Sequence, residues 1–287
     1  MAQIPLVKLG DGNDMPILAY GLGSANMNGQ HEEVVNVTLM AIRNGYYHLD
    51  GAEVYGNEAA LGEAIELSGL PRNKLFVTTK ILGGPGQDVQ ASFDASLQKL
   101  GLDYIDLYLI HLPFLAPGEL PLMWTKLEAI KLSGKAKSIG VSNFLQKHLE
   151  IILKTAKIPP AVNQIEYHPY LQHGKLIQFC HENRIAVSAY STLAAIRKAR
   201  PGPVDHIYAR LAEKYAVSEG EVAIKWCIDQ GLSVITTSGS EQRLQKYKTN
   251  MANFNLSVDE IKQISEVGQQ KHYRDLYNDH FAADDKS

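Results

Sequence analysis

The sequence predicts a closed (β/α)8 TIM barrel, and three observations carry that prediction. Short β-branched or aromatic runs alternate with amphipathic helical segments, the middle runs begin roughly 24 to 33 residues apart, and no linker-like composition break interrupts the alternation. Before the first barrel strand, Leu6 to Leu9 and Met15 to Ile17 flank Gly10-Asp11-Gly12-Asn13, the pattern of a β-hairpin placed to plug the barrel's N-terminal mouth. Barrel strands are then expected at Leu18 to Gly21, Tyr46 to Leu49, Leu75 to Thr79, Ile105 to Ile110, Ser138 to Val141, Val162 to Ile165, Ala186 to Ala189 and Ser233 to Thr236. The helical segments between them carry apolar stripes, as in Glu32 to Asn44 with Val34, Val35, Leu39 and Ile42, and Val89 to Leu100 with Phe93 and Leu97. Between the seventh and eighth strands the spacing stretches. There Ala199-Arg200-Pro201-Gly202-Pro203 reads as a loop, followed by helices over Val204 to Tyr215 and Ser218 to Gln230, the second opened by a Ser218/Glu221 capping box. Ser257 to Val267 reads as an extra C-terminal helix, with Ser257 and Glu260 capping it, and an aromatic tail follows from His272 to Phe281.

Length alone argues for two domains at about 150 residues each, but barrels commonly use 200 to 250 for one. Residues 1–287 are therefore read as one domain, with the excess length spent on the hairpin, the insertion and the tail. Twenty-eight Lys and Arg against thirty-one Asp and Glu give a net charge of −3, too balanced for a nucleic-acid surface. Hydrophobic content of 45% permits a large core. Cys180 and Cys227 are the only cysteines, which makes neither a disulfide framework nor a zinc cluster. Neither a secretory signal nor an apolar run long enough to span a bilayer is found. The expectation is a cytoplasmic protein, a monomer or weak dimer, with no nucleic-acid or membrane partner.

Barrel enzymes place their chemistry at the C-terminal ends of strands. Here those ends deliver Asp50, Lys80, His111, Asn143, Gln164, Tyr190 and Ser238 to one rim, with Tyr55 just beyond the second strand. An ammonium in a partly dry site needs an anion, and Asp50 is the nearest candidate for Lys80. A cationic Lys80 beside Tyr55 is expected to pull the phenol below its ordinary value near 10 and improve it as a general acid. A neutral His111 could orient a carbonyl oxygen next to Tyr55. A proton donor aimed at a carbonyl oxygen serves hydride transfer to the adjoining carbon, so a nicotinamide is expected across the same rim. Asn143 and Gln164 are suited to its carboxamide, and Tyr190 to its ring. Gly21-Leu22-Gly23-Ser24-Ala25-Asn26 fails as a dinucleotide fingerprint because the third glycine is missing. Thr236-Thr237-Ser238-Gly239-Ser240 at a helix start, with Arg243 one turn in, instead suits a phosphate monoester such as the 2′-phosphate of NADP.

With these residues in view, the chain resembles the aldo-keto reductase family along essentially its whole length. The carrying motifs are Gly45-Tyr46-Tyr47-His48-Leu49-Asp50-Gly51-Ala52 through Tyr55-Gly56-Asn57-Glu58, Thr78-Thr79-Lys80, Asp106-Leu107-Tyr108-Leu109-Ile110-His111, Gly140-Val141-Ser142-Asn143-Phe144 and Asn163-Gln164-Ile165-Glu166-Tyr167-His168-Pro169. The resemblance implies one barrel, NADP(H) bound without a Rossmann fold, and a catalytic tetrad of Asp50, Tyr55, Lys80 and His111 with Tyr55 as proton donor. It places Ser142, Asn143 and Gln164 at the carboxamide, Tyr190 on the nicotinamide, and Ser238 and Arg243 at the 2′-phosphate. Gly23, Ser24, Asp50, Ser191, Leu193, Thr236, Thr237, Gly239 and Ser240 complete the cofactor set. Val54, Tyr55, His111, Leu112 and Phe114, with residues of the tail, form the expected substrate set; specificity is expected from the segments near Ala25 to Gln30, Pro113 to Leu122, Ala194 to Asp205 and the tail, and no metal is expected. Three departures from the family pattern stand out: Gly51 follows the tetrad aspartate instead of Thr, Ser191-Thr192-Leu193 replaces Ser-Pro-Leu, and Thr237 stands where many members carry a phosphate-binding lysine. The Thr-Thr-Ser version and the tail are similar to fungal members that reduce activated ketones such as keto esters, keto amides, diketones or keto lactones. Two other classes compete. A metal-dependent hydrolase lacks clustered ligands among the ten histidines, and a cofactor-binding redox sensor would not need the intact tetrad.

Overall fold

The computed structural model describes residues 4–23, 25–282 and 285–287. A two-stranded antiparallel hairpin comes first, β1 (Leu6–Lys8) and β2 (Asp14–Pro16), with Val7 opposite Met15 and Gly12 at φ +90° in its turn. Eight parallel strands then close on themselves: β3 (Leu18–Gly21), β4 (His48–Asp50), β5 (Phe76–Ile81), β6 (Ile105–Ile110), β7 (Ala136–Ser142), β8 (Val162–Glu166), β9 (Ala186–Tyr190) and β10 (Ser233–Thr236), which pairs back onto β3. All six residues of β5 are buried, as are all residues of β3, β4, β8 and β10. Burial on both faces is what a parallel sheet under helices requires, so polar residues carried by these strands, such as Thr78 and Gln164, find their partners inside the fold.

The helices are α1 (His31–Arg43), α2 (Glu58–Leu67), α3 (Val89–Leu100), α4 (Leu120–Leu132), α5 (Gln146–Leu153), α6 (Leu176–Glu182), α7 (Ala194–Arg197), α8 (Asp205–Tyr215), α9 (Glu219–Ile228), α10 (Glu241–Asn250) and α11 (Val258–Gly268). In α1 the buried face is Val34, Val35, Thr38, Ala41 and Ile42, one stripe at helical spacing. Both expected capping boxes form: Ser218 Oγ accepts from the Glu221 amide and Ser257 Oγ from that of Glu260, while each Glu accepts from the backbone amide of its own serine. Each cap is worth about 1 kcal/mol.

The hairpin seals one end of the barrel. Leu9 and Met15 are buried in a separate apolar cluster with Phe76, Leu107, Leu109, Ala161 and Val162. His48 ties that end together, contacting Pro16 O through Nδ1 at 3.2 Å and Thr78 Oγ1 through Nε2 at 3.0 Å. The parallel register brings Gly21 opposite Asp50, Asp50 opposite Thr78, Ser142 opposite Gln164 and Glu166 opposite Tyr190, so the strand ends form a common rim at the other end.

Candidate active site

Lys80 is fully buried, and its stem runs inside the barrel because the neighbouring Thr79 points out to Glu58 of α2 at 2.7 Å. Its Nζ donates to Asp50 Oδ1 and to Gly51 O, both at 2.7 Å. The other Asp50 oxygen accepts from Gln164 Nε2 at 2.8 Å. An ammonium and a carboxylate removed from water this completely persist only when both are hydrogen-bonded as well as paired, and here they are. Tyr55 follows β4 in a short 3-10 turn (Glu53–Tyr55) that ends at Gly56 with φ +67°. Its ring lies 5.1 Å from Lys80 Nζ and 5.7 Å from the His111 ring, edge to face. The four side chains expected to converge are thus brought together at one place.

Their electrostatics differ from expectation in one respect. Lys80 does not pull the Tyr55 phenol down. Burial, and after it the Asp50 carboxylate, push Tyr55 well above its ordinary value. The reason is that Lys80 spends its charge on Asp50 at contact distance, so the phenol experiences a dry site with little uncompensated cation nearby. Tyr55 is therefore firmly protonated at neutral pH. His111 shifts the other way: burial first, then the Lys80 charge, hold it well below its ordinary value, so the imidazole is neutral.

A cavity of about 340 Å³ opens above this cluster, walled by Asp50, Tyr55, His111, Gln164, Tyr190, Ser191, Leu193, Thr236 and Thr237 among the residues expected to meet cofactor or substrate. Gly23 is also on its wall, where a Cβ would lie 3.1 Å from the Tyr55 ring, so only glycine leaves this approach open. Ser142 and Asn143 lie behind the wall. Ser142 Oγ donates to Gln164 O at 2.8 Å, and Asn143 donates to His111 O at 3.0 Å while accepting from Tyr190 OH at 2.6 Å. Both brace neighbours that do border the cavity. Ser238, Gly239, Ser240 and Arg243 sit beyond it. There Ser240 Oγ caps α10, and Arg243 Nε donates to the buried Ser238 Oγ at 3.1 Å. Ser24 lies outside the described residues. Val54, Leu112 and Phe114 do not border the cavity: Val54 is exposed, Leu112 is buried, and Phe114 packs under the tail against Tyr277, His280 and Phe281.

What occupies the wall in their place is Leu276 and Tyr277 of the tail, with Asp275 beside them and Arg197 and Lys198 from the insertion. Sequence reading marked both segments as shaping specificity without singling out these residues. Their placement rests on Glu166, the last residue of β8. Its carboxylate accepts from the Asp275 amide at 2.6 Å and the Leu276 amide at 3.1 Å, and it contacts His168 Nε2 at 2.9 Å. Asp275 in turn accepts from Ser191 Oγ at 2.9 Å and pairs with Lys198 at 2.7 Å. A buried Glu at a strand end was the signal available, since such a carboxylate needs donors from elsewhere in the fold.

The cavity wall mixes aromatic, hydroxyl, amide and charged side chains. Thr236 Oγ1 is buried on its wall without a hydrogen-bond partner among the described residues. Gln164 contributes an amide and Tyr190 a ring to the lining, and Thr237, Arg197 and Lys198 contribute hydroxyl and cationic groups. Among the described residues no three His, Cys, Asp or Glu side chains group as a metal ion requires, and no helix is long and apolar enough to cross a membrane.

A closed parallel barrel with Asp, Tyr, Lys and His converging beneath such a cavity defines an oxidoreductase site built without a Rossmann fold. The family described as the Aldo/keto reductase family matches residues 18–269, and the chain belongs to that family. An NAD/NADP-dependent indole-3-acetaldehyde reductase of Schizosaccharomyces pombe is 35% identical over 272 residues, covering 92% of this chain and 95% of that protein. The NADPH-dependent alpha-keto amide reductase of Saccharomyces cerevisiae is also 35% identical, with 94% and 92% covered. Among solved structures, a Bombyx mori aldo-keto reductase in complex with NADP superposes with a TM-score of 0.85 at 34% identity, covering 96% of each chain.

Proposed function

We propose that this aldo-keto reductase is an NADPH-preferring carbonyl reductase for aldehydes and activated ketones of the keto ester, keto amide, diketone or keto lactone type. Carbonyl reduction and NADP(H) as the cofactor follow from family membership and the relatives' named activities. The observation that carries the mechanism is the Tyr55 ring 5.7 Å from the His111 ring and 5.1 Å from Lys80 Nζ at the base of the cavity, where burial favours the neutral form of both Tyr55 and His111. Gln164 would hold the carboxamide, Tyr190 the ring, Ser191, Leu193, Thr236 and Thr237 the middle of the cofactor, and Ser238 and Arg243 the 2′-phosphate. Bound NADPH supplies the hydride that reaches the carbonyl carbon. His111 donates an N–H to the carbonyl oxygen and orients it without competing as an acid. As charge builds on that oxygen, Tyr55 delivers its proton, and the phenolate left behind lies near the Lys80 ammonium, whose pairing with Asp50 keeps it in position. Lys80 thus acts on the product side of proton transfer rather than by acidifying the resting phenol.

The test is a panel of aldehydes and activated ketones run with NADPH and with NADH. Sustained NADPH oxidation is expected, and cofactor binding without turnover of any carbonyl would overturn the reading in favour of a binding subunit. Arg243→Ala is expected to raise KM for NADPH about tenfold while leaving that for NADH nearly unchanged. Equal effects on both cofactors would remove Arg243 from the phosphate site.

A further inference from the structure

The tail residue nearest the reaction centre is Tyr277, and several observations single it out. Its hydroxyl lies 3.4 Å from His111 Nε2, while Nδ1 of the same ring is buried with no hydrogen-bond partner among the described residues. It borders the same cavity as Tyr55, Gln164 and Tyr190. Its backbone is in the left-handed region at φ +62°, which a bulky side chain rarely adopts. Such a conformation persists only where the surroundings over-determine it. Here the two preceding amides are clamped by Glu166, Asp275 is held by Ser191 and Lys198, and the Tyr277 ring packs edge to face on Phe114 at 5.7 Å. The fold holds an unfavourable backbone geometry at the position that aims a hydroxyl at the catalytic imidazole.

We propose that Tyr277 is a substrate-binding residue that supplies a contact for a second carbonyl oxygen, so that the site favours vicinal dicarbonyl compounds over simple aldehydes and ketones. This rests on the carbonyl-reductase reading above. A simple carbonyl presents one oxygen, which the Tyr55 hydroxyl and the His111 N–H satisfy between them. A keto amide, keto ester or 1,2-dione presents a second acceptor on the adjoining carbon, beside the first. The Tyr277 hydroxyl stands next to the His111 donor and is the group placed to meet it. In the substrate-free site the Nε2–H points to the Tyr277 oxygen at 3.4 Å; when a carbonyl oxygen takes that N–H, the Tyr277 hydroxyl keeps its own proton to donate into the cavity. Burial pushes the Tyr277 phenol up to about 12, so it remains a donor across the neutral range. Only the carbonyl whose oxygen lies between Tyr55 and His111 is reduced. The second remains intact, and the product is a hydroxy amide, hydroxy ester or hydroxy ketone.

Tyr277→Phe keeps the ring on Phe114 and removes only the hydroxyl. The experiment compares kcat/KM for phenylglyoxylamide and for benzaldehyde, both with saturating NADPH, in wild type and variant. The ratio of dicarbonyl to aldehyde efficiency is expected to fall about tenfold in the variant. A loss shared equally by both substrates marks a tail that only packs, and no change in either marks a hydroxyl that touches neither; both overturn the proposal. In parallel, calorimetry measures phenylglyoxylamide binding to the protein–NADP+ complex, where affinity is expected to weaken about tenfold in the variant and unchanged affinity again overturns the proposal. Wild-type protein that binds phenylglyoxylamide through Tyr277 by this measure yet reduces no carbonyl would overturn the reductase reading and leave the Tyr277 contact standing.

Discussion

At the N-terminal mouth of the barrel, Leu9, Met15, Phe76, Leu107, Leu109, Ala161 and Val162 fill the axis with apolar side chains, and the hairpin closes over them. At the opposite rim stand Asp50, Lys80, His111, Gln164 and Tyr190, at or near the C-terminal ends of their strands, and segments from the insertion and the tail share the cavity wall there. Both ends are buried, but burial acts differently on each. Apolar packing gains free energy from every contact and leaves no room for a ligand, whereas buried polar groups lose hydration and stay only if each finds a partner. Asp50 meets that requirement for Lys80 and Gln164, and Glu166 for the tail amides. One end therefore carries stability, and the other carries chemistry whose cost the surrounding hydrogen bonds offset.

Substitutions at the two ends should separate along this line. The largest effect is expected from Tyr55→Phe at the polar end, which removes the transferable proton. Carbonyl reduction should fall by at least about a thousandfold, while the unfolding midpoint and NADPH binding remain near wild type. Steady-state kinetics paired with fluorescence titration of NADPH check this, and a variant that retains wild-type turnover would sink the proton-donor role. Met15→Ala at the apolar end should behave in the opposite way. Removing this fully buried side chain is expected to cost about 2–5 kcal/mol in urea unfolding with kcat/KM nearly unchanged. A large kinetic defect there would dissolve the distinction between the two ends.

The smallest effect concerns pH. Burial is the dominant cause holding His48 down at about 4, against an opposing pull from Asp50, so the folded protein keeps this imidazole neutral while the unfolded chain titrates near 6.5. A depressed folded value means its stabilising contribution is complete above 6.5 and is lost as pH falls from there through 4. His148 and His173 are likewise held down at about 4, chiefly by burial, and act in the same sense. The urea midpoint of wild type should drop across this window, and that of His48→Gln should drop less steeply. Parallel slopes would show that the His48 link between hairpin and barrel does not titrate.

Much of the barrel was legible because its signals are local. Val89 to Leu100 carries its own apolar stripe and ends at Gly101 with φ +63°, and Ser218 and Ser257 announce their helices three residues ahead of Glu221 and Glu260. The second strand was read from Tyr46 and forms only from His48. Tyr46 is buried for another reason, since its hydroxyl donates to Leu244 O of α10, and an aromatic residue scores as strand-like whichever partner buries it. The cluster of Asp50, Tyr55, Lys80 and His111 was legible because each sits at or just past the end of a strand, so strand assignment alone brings them to one rim. Val54, Leu112 and Phe114 were assigned to the pocket on the same logic. None of the three lines the cavity: Val54 is exposed, Leu112 is buried, and Phe114 packs against Tyr277, which does line it.

The sequence by itself determined the order of strands and helices, the hairpin that plugs one end, and which residue types meet at the other, because periodicity and strand-end position are properties of short stretches of chain. Only the tertiary structure decided the direction in which Tyr55 titrates, since that depends on how completely Asp50 absorbs the charge of Lys80 and how dry the phenol becomes. The fold also decided which tail residues wall the cavity, Asp275, Leu276 and Tyr277. The carboxylate of Glu166 gathers amide donors that lie 109 and 110 residues further along the chain, a separation at which no local pattern carries information.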